Sequence, residues 1–192
     1  MFRDIDLNEY TDGRRYTSND MVRIACDDCK GCSKCCHDMG NSIVLDPFDV
    51  KKLCAGLNRD FESLLDDCLE LNVVDGLLLP NIKMQDKTNA CIFLNEEGRC
   101  SIHEIRPGFC RMFPLGRLYE NGGFSYIHQI HECDYPNKSK VKIKKWLEIP
   151  NLEDYENFVM EWHDYLASVR EEIKKEPQNA KQYCMEVLKY YY

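Results

Sequence analysis

Five of the chain's twelve cysteines stand in one short run: Cys26, Cys29, Cys32, Cys35 and Cys36. Disulfides within such a run are poorly matched, because a bridge demands a set Cα separation and suitably directed Cβ vectors. Soft metals and iron–sulfur clusters use two-residue spacers routinely, since a short loop turns several thiolates toward one point. The run therefore points to metal chemistry. A helix cannot gather it: each three-residue step falls about 60° short of a turn, so Cys26 and Cys35 would face opposite ways. Convergence calls for an irregular loop, which Gly31 suits.

The other cysteines divide by context. Cys54, Cys68 and Cys184 lie within apolar stripes at helical spacing and read as small core residues. Cys91, Cys100, Cys110 and Cys133 fall in turn-rich sequence. His37, His103, His128 and His131 are nitrogen-ligand candidates, but so many thiols make non-ligand roles the expectation, even for His131 beside Cys133. Arg106 and Arg111 flank Cys110. They either balance thiolate charge and lower thiol pKa values, or make ordinary carboxylate contacts.

The stretches CKGCSKCC and CIFLNEEGRCSIHEIRPGFCRMFP resemble the YkgJ-type cysteine-cluster family, a zinc- or iron-chelating domain. The likeness runs from about Cys29 to Cys133 and includes, in order, C-x2-C-x2-C-C, a Cys-turn-Cys segment and Arg-Pro-x-x-Cys-Arg-x-Phe-Pro. It implies that Cys29, Cys32, Cys35, Cys36, Cys91, Cys100, Cys110 and Cys133 form the chelating set. Cys26 lies one step outside that frame, as a spare or substitute ligand.

Two chemistries suit the set. A 4Fe–4S cluster, placed first, would take three thiolates of the run and a remote one such as Cys110, as in the spacing of bacterial ferredoxins. Alternatively, Zn2+ would occupy two four-thiolate sites, a division that the adjacent Cys35 and Cys36 fit well. A mixed arrangement also satisfies the count. Flagellin lysine methylases contain a similar cluster, so a methyltransferase-like enzyme ranks third, although no methyl-donor pocket motif is legible. Whether the chain is an enzyme stays open.

A net charge of −8 gives no support for nucleic-acid binding, and no apolar stretch approaches a membrane span. The N-terminus has no apolar core of a secretory signal, so the reduced thiols are expected in the cytoplasm, with an unidentified protein or redox partner. The basic run Lys138–Lys145 reads as a solvated face or the approach to a helix.

The elements that must position these thiols suggest an α+β domain. A small irregular cysteine-rich metal-binding core with short β-hairpins is flanked by helices and a C-terminal helical pair. Residues 1–25 form a polar lead-in, 26–136 the cysteine domain and 137–192 a helical extension packed on it. Ser42–Asp46 reads as a strand, and Asp46-Pro47 as a helix start whose buried face holds Phe48, Leu53, Cys54 and Leu57. A second helix is expected over 59–71, and hairpins over 91–100 and 117–129. Long helices follow Pro150 and Pro177, the first with a cap formed by Asn151 and Asp154.

Overall fold

The computed structural model describes residues 6–26 and 32–192. Its mixture of helices and two-stranded antiparallel sheets is the expected α+β class. A single turn, α1 (Leu7–Tyr10), precedes β1 (Met21–Ala25). β1 pairs with β6 (Ser139–Lys142), so Val22 and Ile24 enter the core beside α5 (Ile143–Leu147). The basic run thus supplies a strand edge and the entry to a helix, with its lysines exposed or half-buried and Ile143 buried.

α2 (Pro47–Leu57) starts where the sequence requires, with the Asp46 carboxylate accepting from the Asp49 N–H at 2.8 Å. Its inner face is Asp49, Val50 and Leu53, while Phe48 is 37% exposed. The next helix is shorter than expected. α3 (Phe61–Asp67) stops before β2 (Leu69–Val74), which pairs with β3 (Leu77–Ile82). The turn Asp75-Gly76 has positive φ at both residues, the twist that a tight hairpin needs. That competing hairpin ends the helix. The expected strand over Ser42–Asp46 is a single bridge, Val44 to Asn81, supported by bonds to Pro80 and Ile82.

α4 (Gly108–Met112) leads into the hairpin of β4 (Leu115–Glu120) and β5 (Gly123–His128), turned by Asn121-Gly122 as expected. α6 (Leu152–Lys175) and α7 (Ala180–Tyr191) form the C-terminal helical pair. The Asn151 cap is not made: that residue adopts φ 51° and its side chain makes no capping bond.

Among the described residues the core falls into three clusters. One joins β1, β4, β5 and α5 to the first half of α6, through residues such as Ile24, Tyr126, Ile143 and Val159. A second packs α2 and α3 against the cysteine-bearing segments. The third seats the β2–β3 hairpin on the second half of α6 and on α7. α6 therefore spans two of the three. Among the described residues no helix is long and apolar enough to cross a membrane.

Candidate metal centre

Three segments with little regular structure deliver four thiols to one place. Cys35 and Cys36 sit on a 3-10 turn, Lys34–Cys36, closed by the Cys36 N–H on the Ser33 carbonyl at 2.8 Å. Cys91 is stitched to that turn, donating its N–H to the Cys36 carbonyl at 2.6 Å beside a bridge between His37 and Ala90. Residues 91–100 do not form the expected hairpin. They make a loop pinched by a Leu94–Cys100 bridge, with Ser101 N–H and Oγ both donating to the Phe93 carbonyl. Cys110 arrives on α4, anchored by the Gly108 N–H on Asp49 Oδ1 at 2.8 Å.

Cys35, Cys91, Cys100 and Cys110 act on one another electrostatically in every pairing. Burial pushes the Cys110 thiol well above its ordinary range, and neighbouring thiols add to the shift. Burial likewise raises Cys91 to about 11, and Cys100 in the same direction. Cys35 is raised chiefly by a hydrogen bond with the Cys36 thiol and then by burial. The Arg106 guanidinium opposes the shift on Cys35 and Cys100. Thiols that penalise each other's ionisation in an apolar shell suit a bound cation, which stabilises all the thiolates at once. The donor set fits the metal chemistry.

A second neighbourhood lies beside the first. Cys26, Cys32 and Cys133 line a cavity of about 30 Å³ with Phe113, Pro114 and Trp146, and Cys35 reaches the same cavity. Cys26 is 7% exposed. Burial raises the Cys133 thiol, Cys26 and Cys32 add to the effect, and Lys138 counters it. Cys35 interacts with Cys91, Cys100 and Cys110, and Cys133 with Cys26 and Cys32, so the two neighbourhoods adjoin at Cys35, which lines this cavity too. Cys29 lies outside the described residues. Among the described residues, no three His, Cys, Asp or Glu side chains already stand at the spacing of a metal ion's ligands.

The remaining candidates find other partners. Cys68 accepts from Arg59 Nη1 at 3.4 Å and Cys184 from the Leu78 N–H at 3.4 Å, while Cys54 packs in the second cluster. His37 Nε2 meets Ser33 Oγ at 3.3 Å, His128 faces Asp12, and His131 is exposed, edge-on to Tyr10. His103 belongs to the 3-10 turn His103–Ile105. The two arginines beside Cys110 differ. Arg106 faces the thiols and Glu148, at 3.3 Å. Arg111 is buried and clamps the backbone, donating to the carbonyls of Glu104, Arg106, Leu147 and Glu148.

One neighbouring feature has no clear signature in the sequence. Asp46, Asp49, Tyr155 and Arg117 form a buried polar network behind α4. Tyr155 donates to Asp46 Oδ2 at 3.3 Å, and Arg117 Nη2 donates to the Tyr155 oxygen at 3.3 Å. The Arg117 guanidinium lies over the rings of Phe124 and Tyr155. Burial, and then the Asp46 charge, pushes Asp49 up to about 8. A cavity of about 500 Å³ opens between this network and α6, where Trp162 and His163 also line it. Asp46 and Asp49 read in sequence as the start of a helix, and only the tertiary contact with α6 reveals the network.

The family comparison agrees with the thiol pattern. The CxxCxxCC profile, described as a "Putative zinc- or iron-chelating domain", matches residues 28–146, more than half of the chain. No curated protein and no solved structure matches it. With its cysteines drawn into two neighbourhoods inside the matched region and at its margin, the chain belongs to the CxxCxxCC family of metal-chelating domains.

Proposed function

We propose that the chain holds a 4Fe–4S cluster on Cys35, Cys91, Cys100 and Cys110 and serves redox or cluster-dependent chemistry with a protein partner. The mutual electrostatic interaction of these four thiols, one buried and three half-buried, carries the reading. The apolar second cluster around the site and the Arg106 guanidinium favour a dry, anionic centre. We place the protein in the reducing cytoplasm, where thiols stay available as ligands.

The division into two neighbourhoods favours a second reading, two structural zinc sites. Anaerobic purification separates the two. A brown protein with broad visible absorbance, about four iron and about four sulfide per chain supports the cluster. A colourless protein with about two zinc ions overturns it and establishes the zinc reading.

A further inference from the structure

We propose that the cavity between α2, β4 and α6 binds a small organic carboxylate with a planar apolar body, gripped by Arg117. This binding does not depend on the thiol chemistry proposed above. The cavity's volume of about 500 Å³ lies in the range of small-molecule pockets.

Local periodicities build the site. Arg117 and Tyr119 stand two residues apart on β4, so both side chains project from the same face of the hairpin. Tyr155, Val159 and Trp162 recur at four- and three-residue steps along α6 and turn one stripe toward that face. Asp46 and Asp49 close the third side at the start of α2.

Arg117 is the unusual member of this wall. Its Nη2 donates to the Tyr155 oxygen at 3.3 Å and its guanidinium lies over the Phe124 and Tyr155 rings, so the group is fixed in place. Its Nε is buried yet finds no acceptor among the described residues, and it forms no ion pair with a described carboxylate. The carboxylates beside it are engaged elsewhere. Asp46 accepts from the Asp49 N–H at 2.8 Å and from the Tyr155 hydroxyl at 3.3 Å, and Asp49 Oδ1 accepts from the Gly108 N–H at 2.8 Å. They act on Arg117 through space alone. A buried charged donor without a partner is unfavourable, and an incoming carboxylate oxygen supplies the acceptor through a charge-assisted bond.

The rest of the wall suits a flat body. Tyr119 and His163 stack with centroids 3.8 Å apart and planes 3° apart, and Trp162 lines the cavity next to them on α6. Packing explains the rings, but not a charged donor left without an acceptor beside a cavity of this size.

The test is calorimetric titration of the anaerobically purified holoprotein, near neutral pH, with phenylacetate, phenylacetamide and phenethylamine. These share a ring and a short tether and differ in the head group. The acid is expected to bind saturably, at least about tenfold more tightly than the amide or the amine. It should shift the Trp162 indole N–H resonance and leave that of Trp146 in place. Arg117→Gln is expected to abolish the difference between acid and amide. Equal binding of the three, no saturable binding of the acid, a shift at Trp146 alone, or an undiminished acid preference in Arg117→Gln overturns the proposal. Preference for the amine also overturns it and assigns recognition to Asp46 and Asp49. Should Arg117→Gln fail to fold by circular dichroism, Arg117→Lys decides, because it keeps the charge and loses the planar fork. Weaker binding with the acid still preferred supports the proposal, and unchanged affinity overturns it.

Discussion

The cysteine-bearing half and the helical half of this molecule are built on different physical terms. Around the thiols the chain offers 3-10 turns, isolated bridges and the five-residue α4. The other half has the 24-residue α6 and 12-residue α7, locked by Trp162 and Tyr165 against Tyr191 and Tyr192. Backbone ladders and apolar burial hold the second region whether or not anything is bound. In the first, few ladder bonds surround the buried thiols, so a bound metal supplies the missing cross-links. The contrast teaches where dependence on metal is concentrated.

Stripping the metal is the largest perturbation available. Chelation under reducing, anaerobic conditions is expected to abolish amide-exchange protection across residues 92–112, beyond the Cys36–Cys91 pairing, while α6 stays protected. Uniform loss along the chain would erase the contrast. A smaller but direct challenge is Gly108→Ala, because a Cβ there would lie 2.0 Å from the Tyr155 oxygen. It is expected to cost about 3 kcal/mol by overpacking, read from denaturant midpoints. It should also loosen Cys110, two residues on, so that metal content falls with stability; a variant as stable as wild type would show that α4 and α6 are not tightly coupled.

The pH dependence sharpens the comparison further. The Asp49 carboxyl is pushed up to about 8 by burial, against about 4 in an unfolded chain. The folded state therefore binds the proton more tightly. This contribution to stability is fully present below about pH 4 and is lost as pH rises toward 8. Asp49→Asn keeps an acceptor for the Gly108 N–H and removes the charge. The stability of the variant relative to wild type should rise between pH 5 and 8 in matched urea titrations, and a constant difference would refute the assignment. Least disruptive is Tyr192→Phe, which deletes the hydroxyl that donates to the Leu45 carbonyl at 2.8 Å. About 1 kcal/mol is expected, with no change in metal content.

What the sequence made legible follows from how local the cause is. The start of α2 at Asp46-Pro47, the Asn121-Gly122 hairpin and the long amphipathic α6 are set by neighbours in the chain, and all are present. The helix expected over 59–71 stops short because β2 finds its partner across Asp75-Gly76. Cys91–Cys100 resembles a hairpin in composition, and the turn at Asn95–Gly98 forms, yet the pairing across it stops at the single Leu94–Cys100 bridge. The cysteine run announced metal, but its partition could not be read. Which thiol joins which depends on where 91, 110 and 133 arrive, and no periodicity encodes that. The Asp46–Tyr155–Arg117 network was hidden for the same reason, since it spans the cap of α2, α6 and β4.

The short bond from the Cys91 N–H to the Cys36 carbonyl, with the His37–Ala90 bridge beside it, has a consequence for timing. Closing a loop of roughly fifty residues costs about 3.5 kcal/mol in chain entropy, by a logarithmic law in loop length. Here main-chain pairing bears that cost before any sulfur is engaged. An incoming ion meets a loop whose ends are already together, and a departing one leaves the ring of chain closed behind it. Loading and unloading then become local events at the side chains, repeatable within the life of one folded molecule.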